Sequence, residues 1–329
     1  MAAKHVSIAF SDRKYEATVD GGPSFVVGRK VSYEGNWGLM NILSLPGAVY
    51  SPDAYRNKYG FWADFLHPIV QCESGGSFQC LNTYDRARFT FGFLQYAAHV
   101  PDGDFVRFLR KLLVTIPAAD YFPELVVHDN VICKDSLTGF TPLETLDSTL
   151  PLQDFLNPSL DEVEESEVIQ SAKFVHWSLN EPEHHELQVQ CGVDHMKKAM
   201  KQYAKTYSLD GTLDKICLVI ADIHHQGRGK KVEVFDALDT GGDTDKAYTN
   251  LLEIGKAFYK ERIDTLRSAI DAMVSDGTLG QRKYDATIGD FVPLNATPDA
   301  GQNITDSRPP RRSTRSRPGA SARRSKPQR

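Results

Sequence analysis

The stretch FLHPIVQCESGGSFQCLNTYDRARFTFGFLQ, residues 65–95, decides the expected fold. Pro68 suits the first turn of a helix, and the apolar residues after it supply a face that can be buried. The run Ser74-Gly75-Gly76 then supplies a stop signal. We therefore expect Glu73 to lie at the C-terminus of a helix.

Glu73 is expected to keep its proton near neutral pH. The C-terminal end of a helix carries partial negative charge, which opposes ionisation of a carboxyl group placed there. Apolar neighbours act in the same direction, because burial disfavours the charged form. The next segment, residues 78–95, is rich in Phe, Tyr and Thr and predicts strands and turns, with Asp85 on a polar corner.

Two carboxyl groups carried by different elements fit glycoside hydrolysis. One group protonates the leaving oxygen, and the other activates water or stabilises the developing cation. On this interpretation Glu73 and Asp85 are the candidate catalytic pair. The alternative for a Glu before Gly-Gly is a surface residue beside a helix cap, and the aromatic residues nearby can belong to the core.

Two short patterns carry a family resemblance. The run from Glu73 to Gly76, followed by Gly92-x-x-Gln95, resembles the lysozyme-like superfamily. The pattern Asp85-x-x-x-Phe-Thr90-x-Gly92 is also similar to family 46 chitosanases. The resemblance implies a mainly α, lysozyme-like helical fold with a small β element in the cleft. It also implies that Glu73 is the acid, Asp85 the base and Thr90 the residue that positions the attacking water.

The chain departs from the chitosanase pattern at two points. The interval from Glu73 to Asp85 is shorter, and Arg86, Ala87 and Arg88 replace glycines around the Asp. The expected activity is hydrolysis of β-1,4 linkages in an amino-sugar polymer, with peptidoglycan the first choice and chitosan the second. A catalytically silent protein that keeps the fold and binds a cell wall or a partner is the rival from another class.

Further residues are expected to bind the substrate. A later apolar helix that ends in adjacent histidines is similar to the helix behind the cleft of lysozyme-like enzymes. A pair of polar residues at a helix end is the alternative for these histidines. The candidates for substrate binding are Tyr84, Arg88, Gln95, His224 and His225.

The chain divides by composition into three parts. Residues 1–50 alternate apolar and polar residues in short pieces and predict a β-rich segment, although residues 33–51 read as a loop. Residues 51–292 are expected to form the catalytic domain, with a Pro-rich, loop-rich and partly acidic insertion at about 117–190. If the acidic run at 161–167 faces the cleft, it favours a cationic glycan such as chitosan.

Residues 293–329 are expected to be a disordered tail. Pro, Ser, Arg and Gly dominate it, so it lacks the apolar surface that a folded core requires. The segment 308–329 is basic and contains no acidic residue, whereas the whole chain has a net charge of −5. Such a tail can bind an anionic polymer non-specifically.

Composition limits the other function classes. No apolar run approaches the length of a membrane span, and no standard signal peptide is evident, so synthesis in the cytoplasm and delivery to a wall by another route are expected. The five cysteines are expected to be reduced. No cofactor is expected. The histidines at 184–185 and 224–225 lack the spacing of helical zinc motifs, so a metallohydrolase is a minor alternative.

Overall fold

The N-terminal segments form one sheet with the strands that follow Glu73. The computed structural model describes residues 3–41 and 47–295. Seven antiparallel strands follow one another across this sheet in chain order. They are β1 (Val6–Ser11), β2 (Lys14–Val19), β3 (Phe25–Tyr33), β4 (Asn36–Met40), β5 (Leu81–Asn82), β6 (Thr90–Phe91) and β7 (Tyr96–Ala97).

This sheet corrects the expected fold class. The chain is an α+β protein with 47% helix and 20% strand, and it is not a mainly α, lysozyme-like fold with a small β element. The physical reason is a long-range pairing, because β4 joins β5 through Met40 and Asn82 and so fuses the N-terminal strands with the strands of the cleft. Part of the expected loop at 33–51 is β-structure: Tyr33 ends β3, and Asn36–Met40 form β4.

The described helices supply most of the buried core. Their bounds are α1 (Pro52–Tyr59), α2 (Phe61–Ser74), α3 (Asp104–Leu113), α4 (Ala118–Tyr121), α5 (Leu150–Leu156), α6 (Glu165–Asn180), α7 (Pro182–Tyr207), α8 (Asp214–Gln226), α9 (Lys231–Leu238), α10 (Thr244–Glu253) and α11 (Lys256–Ser275). None of them combines the length and apolarity that crossing a bilayer requires.

Two smaller antiparallel sheets complete the described residues. The first has three strands, β8 (Leu125–His128), β9 (Val131–Ser136) and β10 (Gly139–Pro142). The second pairs β11 (Arg282–Asp285) with β12 (Asp290–Pro293). Residues up to Leu294 form one compact unit. The predicted basic tail lies almost entirely outside the described residues.

The expected insertion at 117–190 is more ordered than its prolines indicate. It contains the three-stranded sheet, and α6 buries Val168, Phe174 and Trp177 in the main core. Its acidic run is also not a purely solvated face, because Glu167 is buried. The interpretation of a loop-rich insertion is therefore wrong for α6 and for the first turns of α7.

Local sequence signals predict several helix boundaries correctly: Ser51-Pro52 predicts a helix start, Ser74-Gly75-Gly76 a helix end and Gly255 a bend. Helix α1 begins at Pro52 with Ser51 at its N-cap position, and α2 ends beside Gly75. Gly255 separates α10 from α11 with a φ of 76°. The role given to Pro68 is wrong, because α2 begins seven residues earlier, at Phe61, and Pro68 lies inside it.

Glu167 generates the first prediction. Burial raises the pKa of this carboxyl group to about 8, against a hydrogen bond donated by the Thr83 hydroxyl group. The folded state therefore holds a proton that the unfolded chain releases near pH 4.3, about the ordinary value for Glu. Wild-type stability should fall as the pH rises between these two values. Glu167→Gln should remove this fall and melt at a higher temperature than wild type at pH 8.

Thermal unfolding at several pH values measures the effect. Glu162→Gln, on the exposed part of the same acidic run, is the matched control and should follow the wild-type profile. Parallel profiles for Glu167→Gln and wild type would contradict a protonated Glu167.

Candidate active site

The end of α2 places Glu73 against the sheet. Gly75 adopts a left-handed conformation with a φ of 60° and ends the helix. The Ser74 hydroxyl group donates a hydrogen bond of 2.7 Å to the carbonyl of Phe93. This bond fixes the helix end to the turn that follows β6. The expected helix-terminal position of Glu73 is thus confirmed, and neighbouring Ser74 holds that position.

The Gly92-x-x-Gln95 pattern forms the turn between β6 and β7. Gly92 has a φ of 91°, and a Cβ atom there would lie 2.4 Å from the Gln188 side-chain oxygen. Only glycine fits this position. The backbone N–H of Gln95 donates to the Gly92 carbonyl at 3.0 Å, which closes the turn and directs Gln95 toward Glu73.

Glu73 and Asp85 line one cavity. We call this cavity of about 580 Å³ the Glu73 cleft. It lies where the end of α2, the β5–β6 connection and the β3–β4 hairpin meet. The residues that line it are Tyr33, Glu34, Asn36, Glu73, Asn82, Asp85, Arg86, Ala87, Thr90, Gln95, Ala97, His99 and Gln226.

The chain turns between Asp85 and Thr90. A straight strand would place these two residues, an odd number of positions apart, on opposite faces, and the turn lets both line the cleft. The backbone N–H of Arg88 donates to the Asp85 carbonyl at 2.9 Å, and Arg88 has a φ of 56°. The Asp85 carboxyl group accepts hydrogen bonds from the Asn82 amide at 3.2 Å and from the Ala87 N–H at 2.8 Å. These bonds fix Asp85 at the mouth of the cleft, with Thr90 on the adjoining strand.

Glu73 belongs to a buried chain of alternating charges. Its Oε1 atom lies 2.7 Å from Nη2 of Arg262 and 3.3 Å from Nε2 of His225. The same Arg262 nitrogen lies 2.7 Å from Oδ1 of Asp222. The other oxygen of Asp222 accepts a bond of 2.9 Å from Nε of Arg228. Helices α2, α8 and α11 are thereby joined behind the cleft.

The pKa of Glu73 corrects the expectation of a resting protonated acid. Burial raises the pKa of Glu73, but the hydrogen bond and charge of His225 and the charge of Arg262 outweigh it and lower the pKa below the ordinary value. Burial lowers the pKa of His225, and Glu73 in turn raises it above the ordinary value. Each group therefore favours the charged form of the other, an ionised Glu73 beside a protonated His225.

The two members of the chain of charges farthest from Glu73, Asp222 and Arg228, are fully buried. The side chains of Asp222 and Arg228 are both 0% exposed. Arg228 also donates to the carbonyl groups of Leu251 and Ile254, where α10 ends. Because a buried charge is costly without a partner, each member of the chain depends on the next.

Some predicted substrate-binding residues lie elsewhere. Tyr84 is half-buried next to Tyr33 and does not line the cleft. Arg88 forms an ion pair with Asp154, away from the cleft. His224 stacks on Tyr203 and accepts or donates a bond of 2.8 Å with the Tyr207 hydroxyl group.

Gln95 and His225 do lie near Glu73. Gln95 lines the Glu73 cleft directly, whereas His225 contacts Glu73 and lines the neighbouring cavity together with His224. The site residues missed by sequence reasoning are Tyr33, Glu34, Asn36, Asp222, Arg228 and Arg262. Asp222 lies two residues before His224, in the apolar helix that the sequence predicts. No local pattern links Asp222 to Arg262.

Among residues 3–41 and 47–295 no group of three or more His, Cys, Asp or Glu side chains is arranged to hold a metal ion. The five cysteines are free thiols.

Comparisons with protein-family models, with curated proteins and with solved structures find no match for this chain.

The chain of charges generates the second prediction. Asp222→Asn should leave buried Arg228 without its carboxylate partner and lower the free energy of unfolding by about 3–5 kcal/mol. Asp264→Asn is the control, since Asp264 pairs with Lys260 at the surface of the neighbouring helix α11. Urea denaturation followed by circular dichroism compares the two. Equal, small losses would show that the buried chain contributes no more than a surface pair.

Proposed function

We propose that this protein is a glycoside hydrolase that cleaves β-1,4 linkages of an amino-sugar polymer. The observation that carries the proposal is that Glu73 and Asp85, from two different elements, line one cleft of about 580 Å³. Both known hydrolysis schemes of this kind need two carboxyl groups on either side of a glycosidic bond. Thr90 and Gln95 line the same cleft and supply polar groups for water and substrate.

An extended groove supports a polymeric substrate. The Glu73 cleft shares Gln95 and Ala97 with a second cavity of about 520 Å³. That cavity shares Asp104, His195 and Lys198 with a third of about 480 Å³. We call the three together the groove. A single sugar would occupy only part of it, so a chain of several sugars is the better fit.

The charges along the groove do not separate peptidoglycan from chitosan. Residues 161–167 do not line any of its three cavities, so the acidic run gives no support to a cationic glycan. The third cavity bears four cationic side chains against three carboxylates. The cationic side chains are Arg107, Arg110, Lys111 and Lys198. Most of these cations are already paired, Arg107 and Arg110 with Asp102, Arg110 also with Glu144, and Lys111 with Asp194. The Glu73 cleft itself bears three carboxylates against Arg86. Peptidoglycan therefore stays the first choice and chitosan the second on the sequence resemblance alone.

Glu73 and His225 together act as the general acid of the proposed reaction, because they share the proton that is donated. Transfer of one proton along the 3.3 Å contact, from Nε2 of His225 to Glu73, yields a neutral imidazole and a neutral carboxylic acid. Glu73 then protonates the leaving oxygen as the glycosidic bond breaks. Arg262 stabilises the carboxylate that this step leaves behind.

Asp85 is the proposed base. Its carboxylate accepts a proton from a water molecule while that water attacks the anomeric carbon, and the Thr90 hydroxyl group orients the water. A cleft that admits a water between the carboxyl groups leads to inversion of the anomeric centre. The proton taken up by Asp85 and the proton given by Glu73 balance over one turnover through exchange with solvent.

The third prediction separates this enzyme from a silent protein that only binds glycan or a partner. Glu73→Gln and Asp85→Asn should each lower kcat on peptidoglycan by about 10²–10⁴-fold, the usual contribution of general acid–base catalysis. Release of reducing sugars measures the rate, and circular dichroism verifies folding. Arg88→Gln is the control, because Arg88 pairs with Asp154 outside the cleft. A Glu73→Gln protein with more than about a tenth of wild-type activity would contradict the proposal.

The fourth prediction concerns pH. The pKa of His225 is raised above its ordinary value of about 6.5, so the activity of wild type should persist above about pH 6.5 and fall only as the pH rises through this raised pKa. In His225→Gln only Glu73 can carry the proton. Burial favours its protonated form and Arg262 its ionised form, and the ordinary pKa of Glu, about 4.3, lies below that of His, about 6.5. The alkaline limb of the kcat/KM profile should therefore move to lower pH.

His224→Gln is the matched control for the position of the alkaline limb. Its imidazole lines the second cavity of the groove but contacts Tyr207 rather than Glu73. The substitution can therefore change the rate, whereas the pH of the alkaline limb should stay that of wild type. An unshifted alkaline limb in His225→Gln would contradict the proposal that His225 supplies the proton that Glu73 donates.

A further inference from the structure

The tip of the β3–β4 hairpin forms one wall of the Glu73 cleft. Tyr33 pairs with Asn36 across a two-residue loop, and the loop residues Glu34 and Gly35 have φ values of 52° and 89°. Positive φ at both central residues is typical of the tight hairpin turn that matches the twist of its strands. The turn holds Tyr33, Glu34 and Asn36 along the cleft.

Tyr33 is unusually exposed for its size. Its side chain is 56% exposed, although it is the aromatic residue that lines the Glu73 cleft. Its ring centroid lies 6.2 Å from that of the half-buried Tyr84, and the two ring planes are tilted by 59°. A large aromatic ring that a tight turn holds exposed beside a second ring is a preformed apolar surface.

The chemistry of this wall matches a pyranose ring. A sugar presents an apolar C–H face and a rim of hydroxyl or amide groups, and a Tyr ring offers an apolar face with a polar edge. Glu34 and Asn36 flank Tyr33 with a carboxylate that accepts hydrogen bonds and an amide that both donates and accepts them. Both lie in the same cavity as Glu73 and Asp85.

We infer that the tip of the β3–β4 hairpin is a sugar-binding subsite, in which Tyr33 stacks on a sugar unit of the polymer next to the bond that is cleaved. This inference rests on the proposed function. It assigns substrate binding to Tyr33 in place of Tyr84, the tyrosine expected from the sequence. The N-terminal sheet then serves the active site directly, since it supplies one wall of the cleft.

The test uses binding and turnover together. Affinity for soluble β-1,4-linked glucosamine and N-acetylglucosamine oligomers is measured by calorimetry in the Glu73→Gln background, where turnover is removed. Tyr33→Ala should weaken the affinity about tenfold, the scale of a well-placed aromatic contact, and Tyr33→Phe should restore it. In the active enzyme Tyr33→Ala should raise KM more than it lowers kcat.

Phe10→Ala is the matched control. Phe10 lies on β1 of the same sheet and is 54% exposed, but it does not line the cleft. Its loss should leave affinity and KM unchanged. Unaltered affinity in Tyr33→Ala, with oligomers still bound, would overturn the subsite and leave the proposed hydrolase intact. If Glu73→Gln binds neither oligomer and wild type cleaves neither polymer, the proposed function fails and the subsite fails with it.

Discussion

The ion pair between Glu73 and Arg262 is the interaction on which the cleft depends. It holds a carboxylate with only 13% of its side chain exposed at the end of α2. The partner of that carboxylate comes from α11, almost two hundred residues later in the chain. Asp222 and Arg228 continue the same chain of charges into the core. The position of the proposed acid is thus set by charge balance behind the cleft as well as by the helix that carries it.

The same arrangement determines how the acid is charged. A helix C-terminus and burial both favour a neutral carboxyl group, which explains why Glu73 alone appears suited to keep a proton. Arg262 and His225 reverse this balance and lower the pKa of Glu73, while Glu73 raises the pKa of His225. An acid that stores its proton on a neighbouring imidazole has a pH range set by the pair rather than by a single carboxyl group.

Local sequence signals predicted local features well. The stop after Glu73, the turn between Asp85 and Thr90 and the helix start at Pro52 each depend on residues within a few positions. The pairing of β4 with β5 depends on two short strands about forty residues apart, which is why the sheet was divided between an N-terminal segment and a small β element. The ion pair of Arg262 with Glu73 was likewise not predictable, because the sequence around an Arg on an amphipathic helix does not indicate a buried partner.

The most direct test of the central claim is proton NMR of wild-type protein acting on β-1,4-linked amino-sugar polymers, with peptidoglycan and chitosan compared side by side. The account predicts new reducing ends from at least one polymer, with the α-anomer appearing first, because a water held by Asp85 attacks from the opposite face. New ends that appear first as the β-anomer would contradict the role of Asp85. The absence of new reducing ends from both polymers would contradict the claim that the Glu73 cleft is a hydrolase site.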